Sequence, residues 1–108
     1  MEYVLIHKPV GLLPPEAMKL TFDNAKKLMA NTQAFVPGGK CTASYLAIGE
    51  QVMFCNWDVP NIDSLTNLLR QMSIAGWNTE VIPVERAEVA LPKIEKAMQE
   101  MQVPAMAR

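Results

Sequence analysis

The sequence predicts an α+β domain of the ferredoxin-like type: βαββαβ, a four-stranded antiparallel sheet in the order 4-1-3-2, and an added C-terminal helix. Three observations predict it. Strand-like and helical stretches follow one another as β-α-β-β-α-β-α, two strand-helix-strand units flanking a hairpin. The run Tyr3-Val4-Leu5-Ile6-His7 is almost continuously apolar, as a strand buried at the centre of a sheet would be. Pro83 falls inside the last strand-like run, Thr79 to Val84, where its missing N–H is tolerated only at a sheet edge. A central first strand and an outer fourth strand are what that order requires.

Each element has its own signal. Lys8-Pro9-Val10-Gly11 ends the first strand, and Leu13-Pro14-Pro15-Glu16 opens a helix with proline in the first turn and an acid at the positive end of the dipole. Met18, Phe22, Ala25 and Met29 recur at steps of four, three and four, which predicts the inward face of that helix. Pro37-Gly38-Gly39 stops the helix and turns the chain. Ser44 to Pro60 then reads as a hairpin turning at Gly49-Glu50. Asn61 or Asp63 is the expected cap of a second helix, whose stripe is Leu65, Leu68, Leu69 and Met72. Ala75-Gly76-Trp77 reads as a glycine C-cap. A third helix is expected from about Leu91 to Met101, with Pro92 at its start and Ile94, Ala97, Met98 and Met101 inward. Residues 1–101 form one domain, and residues 102–108 are expected to be a flexible tail.

The hairpin governs the expected assembly. With Ile48 near Gln51, one face carries Ala43, Tyr45, Ala47, Val52 and Phe54, and the other carries Leu46, Ile48, Met53, Cys55 and Trp57. A hairpin with one wet side would alternate apolar and polar. This one calls for cover on both sides, while the helices of the fold cover one. Covering the other would bury about 800 Å² per partner, the size of a standard stable interface. A homodimer through the open sheet face, with two-fold symmetry, is therefore expected. The competing expectation is that the third helix folds over that face.

Composition narrows the function classes. Half of the 108 residues are apolar, 19% are charged and the net charge is −1. That fits a globular domain and leaves no basic stripe for nucleic acid and no polybasic segment for an acidic membrane. No apolar run approaches the ~20 residues of a membrane helix, and Met-Glu-Tyr leads straight into a strand rather than a signal peptide, which points to the cytosol. Cys41 and Cys55 are expected to be free, inertly packed thiols in a reducing compartment. Met18, Met29, Met72, Met98 and Met101 fall at helical core spacings and read as gap-fillers.

Leu5-Ile6-His7-Lys8 and the following Val10-Gly11-Leu12-Leu13-Pro14-Pro15-Glu16 resemble the opening of a family of small, mostly uncharacterised bacterial ferredoxin-like domains that includes a nickel-binding member. Cys55-Asn56-Trp57-Asp58-Val59-Pro60 is similar to that family's strand ending in cysteine, an acid and Ala-Pro, and Val81-Ile82-Pro83-Val84 resembles its closing strand. More widely the chain resembles the dimeric α/β-barrel superfamily, which includes cofactor-free monooxygenases, small haem-degrading enzymes and muconolactone isomerases. The resemblance implies a dimer and places His7 where the nickel-binding member has a histidine. The chain has one histidine in all, whereas a nickel site needs several nitrogen or oxygen donors.

His7, at the end of the first strand, is the candidate general base, since an imidazole titrates near neutrality. Its bland alternative is a strand-end histidine bonded within the fold. Tyr45, Phe54 and Trp57 are the candidate walls of a ligand pocket, with dimer packing as their alternative. Asn56 and Trp57 are neighbours in a strand and must face opposite ways, which argues against a haem site using both. No phosphate loop is present, because Pro37-Gly38-Gly39 lacks the lysine and helix start that one needs. The leading expectation is a homodimeric binding or accessory protein for a small apolar or aromatic ligand, with no cofactor. The alternatives are a cofactor-free monooxygenase- or isomerase-type enzyme using His7 as base, and a metal-binding protein through His7. The enzyme reading requires His7 to face an enclosed pocket holding at least one further polar group.

Overall fold

The computed structural model describes the backbone of residues 1–106 and the side chains of residues 1–101. The strands are β1 (Glu2–Pro9), β2 (Lys40–Leu46), β3 (Met53–Asp58) and β4 (Trp77–Val84). The helices are α1 (Pro15–Ala30), a short α2 (Thr32–Phe35), α3 (Thr66–Ile74) and α4 (Ala87–Met106), with a 3₁₀ turn, Ile62–Leu65, leading into α3. All three pairings are antiparallel, and the sheet runs β2-β3-β1-β4. Read from the β4 edge, these are the neighbours of a 4-1-3-2 sheet. β1 is central and β4, carrying Pro83, is an edge.

Register assigns the faces. Tyr3, Leu5 and His7 oppose Trp57, Cys55 and Met53 on β3 and Pro83, Val81 and Thr79 on β4. Tyr3, Leu5, His7 and Trp57 are buried, and this is the face toward the helices. Val36, Val59, Leu65 and Leu68 complete the core against it. Val4, Ile6, Phe54 and Ile82 lie on the other face and are half-buried by their neighbours, while Tyr45, paired with Phe54, is exposed. That open face is apolar only at its centre. Glu2, Lys8, Asp58, Asn78 and Glu80 share it, so the doubly apolar hairpin does not extend into a wholly apolar sheet. Beyond the paired strands, Ile48 at the hairpin tip is fully exposed.

Turns follow the local chemistry. Gly49 adopts φ +82° at the hairpin turn, a conformation that L side chains rarely adopt. Gly76, at φ +92°, ends α3, with the amides of Ala75 and Gly76 donating to the carbonyls of Gln71 and Ser73. The side chain of Gln33 clamps the Pro37-Gly38-Gly39 turn, accepting from the Gly38 amide and donating to the Gly39 carbonyl.

Several expectations are corrected. Neither Asn61 nor Asp63 caps by its side chain; the Asn61 carbonyl instead accepts from the Ser64 amide in the 3₁₀ turn. The stripe Met18, Phe22, Ala25 and Met29 is exposed, and α1 buries no residue fully. Its sheet-facing line is Ala17, Thr21, Asn24 and Leu28, one residue away around the helix. Of the five methionines placed at core spacings, Met18, Met29, Met98 and Met101 are exposed, and only Met72 packs on the core. Cys41 is exposed rather than packed inside. α4 starts at Ala87, so Pro92 lies within it, and it is not folded over the open sheet face: every residue from Leu91 to Met101 is exposed. The helix continues to Met106, overlapping the expected tail, whose last residues, 107 and 108, lie outside the described residues.

Candidate functional site

The line Thr21, Asn24 and Leu28 explains why α1 buries nothing completely. It rests on the core only through Leu28. It stands over a cavity of about 480 Å³, floored by β1, β3 and β2 and closed at the sides by α2 and α3. A polar tie helps hold α1 in place, the indole N–H of buried Trp77 donating to Thr21 Oγ1 at 2.8 Å, while Leu28 packs against the core. The chain thus spends a helix-to-sheet contact on a polar strut and leaves space beside it. The mouth opens along edge strand β2, where Ser44 and Leu46 are exposed on the helix-facing side.

The lining is mostly apolar, from Leu28, Phe35, Met53, Trp57, Leu68 and Met72, with polar groups set into it at His7, Thr21, Asn24, Ser44 and Gln71. Among the described residues it contains no Asp, Glu, Lys or Arg. Pockets of this size and composition suit a small organic ligand oriented by few polar contacts. A charged ligand would have to shed its water with no counter-charge to meet it, which is costly.

His7 is 2% exposed and is the one buried polar side chain among the described core residues. Its Nδ1 lies 2.7 Å from Thr79 Oγ1 across the β1–β4 pairing. Burial strips the imidazolium of water and lowers its pKa from 6.5 to about 4, so the ring is neutral at pH 7. Trp57 is also in the wall, and its Nε1–H is buried without a hydrogen-bond partner among the described residues. Buried N–H groups rarely go unpaired, which marks this one for an acceptor.

The thiols share the β2–β3 part of the cavity wall. Cys55 Sγ lies 3.6 Å from Ser44 Oγ, its strand partner. Burial pushes its pKa up, against the opposing effect of the Ser44 bond. Cys41 is raised chiefly by burial and further by nearby Cys55, with its bond to the Ala43 carbonyl acting the other way. Among the described residues no three His, Cys, Asp or Glu side chains come together in a way that would hold a metal ion.

His7 and Trp57 therefore share one cavity, while Tyr45 and Phe54 pair on the opposite face of the sheet. The polar lining residues that sequence reasoning missed are Thr21, Asn24, Thr32, Thr42, Ser44 and Gln71. Thr21 and Asn24 sit at helical spacing one residue from the apolar stripe, and nothing in the sequence turns that line rather than the stripe toward the sheet. A second, smaller recess of about 250 Å³ lies where β4 leads into α4, beside Glu2, Asn56, Glu85 and Arg86, and Trp57 borders it as well as the larger cavity. Among the described residues no helix is long and apolar enough to cross a membrane. The chain matches no protein-family model and no curated protein.

Proposed function

We propose that the protein binds a small, electrically neutral organic ligand between α1 and the sheet, as a homodimeric binding or accessory protein. The observation that carries this reading is the cavity of about 480 Å³ whose lining, among the described residues, has no charged side chain and includes buried His7 and Trp57, the latter with an indole N–H that has no partner there. An oxygen acceptor on the ligand would satisfy Trp57, and the apolar remainder would fill the space between Leu28, Phe35 and Met72. Pairing through the open sheet face is supported by its uncovered centre, Val4, Ile6, Phe54, Tyr45 and Ile82. A cytosolic setting fits the two free thiols.

A catalytic reading, with His7 as the base of a cofactor-free oxygenase or isomerase, draws support from the position of His7 in the cavity alongside further polar groups. It ranks second on basicity. A conjugate acid at about 4 makes a weak base at neutral pH, whereas general-base catalysis works best with a pKa near the operating pH. Metal binding through His7 has least support, since among the described residues it belongs to no group of three His, Cys, Asp or Glu side chains that could hold a metal ion.

The test is a matched pair of probes at pH 7. Neutral 2-naphthol should raise the melting temperature and quench the fluorescence of Trp57, while 2-naphthoate, similar in shape but anionic, should do neither. Ala25→Trp, placed at the exposed rim of the cavity, should abolish the 2-naphthol shift without lowering the melting temperature of the free protein. Equal shifts from both probes, or none from either, would overturn the reading.

A further inference from the structure

We infer that α4 is a clasp for a second copy of this chain: the apolar stripe of each subunit's α4 lies against the open sheet face of its partner, reciprocally about a two-fold axis. The inference rests on the homodimer reading and goes beyond it by naming the element that makes the contact.

The starting point is a helix with an apolar stripe and nothing beneath it. Ala87, Ala90, Leu91, Ile94, Ala97, Met98 and Met101 fall within about 120° of one another around α4 at 100° per residue. Glu88, Lys93, Glu95, Lys96 and Glu100 occupy the other side. Yet Leu91 is 62% exposed, Ile94 52%, Met98 55% and Met101 78%, and among the described residues α4 packs substantially against no other element. The shape shows the consequence. The radius of gyration is 18.3 Å and the long axis 65 Å, whereas a compact chain of this length has a radius of about 13 Å. A helix of this length spans about 30 Å, and it leaves the domain through a two-residue connection, Glu85 and Arg86, steadied by Lys93 on Glu85 and Arg86 on Glu2. It projects away from its own sheet.

Charge and width select the occupant. The charged residues of α4 sum to −1, two lysines against three glutamates, which argues against an acidic membrane surface. A coiled-coil seam would be narrower. Leu91, Ile94, Met98 and Met101 fit alternating steps of three and four, but Ala90 and Ala97 widen the stripe into the face of a helix that covers a layer. The layer left uncovered in this molecule is the open sheet face. Area points the same way. Four strands of this length make a plane of about 450 Å², and the charged rim takes part of it. The face by itself is therefore smaller than the roughly 800 Å² per partner expected from the sequence and typical of a standard interface. In the clasp the stripe of each α4, about 300 Å² from its length and width, covers a like area of the partner's sheet, so each subunit buries about 600 Å², the lower end of what a standard interface needs.

The experiment uses the full chain. Light scattering at micromolar concentration should give twice the 12.0 kDa subunit mass. Ile94→Glu combined with Met98→Glu changes two side chains already exposed in the subunit, so its circular dichroism should match the parent. Its dissociation constant should rise about a hundredfold or more, since two apolar contacts are lost and charges take their place. Tyr45→Glu, on the open face, should weaken the dimer as well. A dimer broken by Tyr45→Glu but not by the helix variant would overturn the clasp while leaving sheet-to-sheet pairing intact. A dimer broken only by the helix variant would overturn docking on the sheet in favour of helix-to-helix pairing. A parent chain that stays at 12.0 kDa would overturn both the clasp and the homodimer, leaving the cavity reading to its own test.

Discussion

His7 and Thr79 face each other across the β1–β4 pairing, with imidazole Nδ1 2.7 Å from the threonine hydroxyl oxygen. The bond fixes the ring on the floor of the cavity and leaves its other edge free to meet a ligand. It also makes the single histidine of the chain a reporter of the site.

The pH dependence follows from that burial. The pKa of His7 is about 4 in the folded chain and near 6.5 when unfolded, so between those values the unfolded chain binds more protons. Stability is therefore fully present above pH 6.5 and is lost as pH falls toward 4, by about 3 kcal/mol in all. From pH 6.5 to about 5 the fall lies above the ordinary carboxylate range and belongs to His7. Urea titrations across that interval should show it, and His7→Gln should flatten it. A parent profile already flat from pH 7 to 5 would contradict the burial of a neutral ring.

Thr79→Val keeps the shape of the side chain and removes the hydroxyl. It leaves Nδ1 buried without its partner and should cost about 1–3 kcal/mol by urea denaturation. Adding His7→Leu should cost less than the sum of the two single changes, because an apolar pair leaves no buried polar group unmet. Strict additivity in this double-mutant cycle would mean that the two side chains do not interact.

Gly39 has no room for a β-carbon. A methyl group there would run into the side chain of fully buried Val36 and come within 3.1 Å of Val59 Cγ1. Gly39→Ala should lower stability by about 1–3 kcal/mol, the usual cost of overpacking. Gly49→Ala meets no neighbour within 4 Å and is strained only by its φ of +82°, so it should cost less. A thermal melt of each variant checks the order.

The cysteines should react slowly. Both thiols are raised above their ordinary pKa, chiefly by burial, which keeps them protonated at pH 7 and poor as nucleophiles. Alkylation by iodoacetamide should be slower than that of free cysteine, with exposed Cys41 modified before half-buried Cys55. Filling the cavity with 2-naphthol should slow the reaction further at Cys55, which lines it. Peptide mapping of the alkylated chain reads all three outcomes.

What the residues determined by themselves is the sheet. An unbroken apolar run put β1 at the centre, Pro83 put β4 at an edge, and Gly49 set the turn from which the hairpin register follows. Strand identity, order and the alternation of Tyr45 against Trp57 are properties of the backbone and of local sequence, so they are legible there. What lies opposite a helix is not. The stripe Met18, Phe22, Ala25 and Met29 is as periodic as a core-facing one, yet Thr21 and Asn24 face the sheet, because a strut from Trp77 helps hold α1 over a cavity, with only Leu28 on the core. Ile94 and Met98 are periodic too, yet α4 projects from the domain and leaves them exposed. Periodicity records which side of an element is apolar. Only the packing of the whole chain decides whether that side meets a core, a cavity or open surface, because it depends on distances between elements remote in sequence.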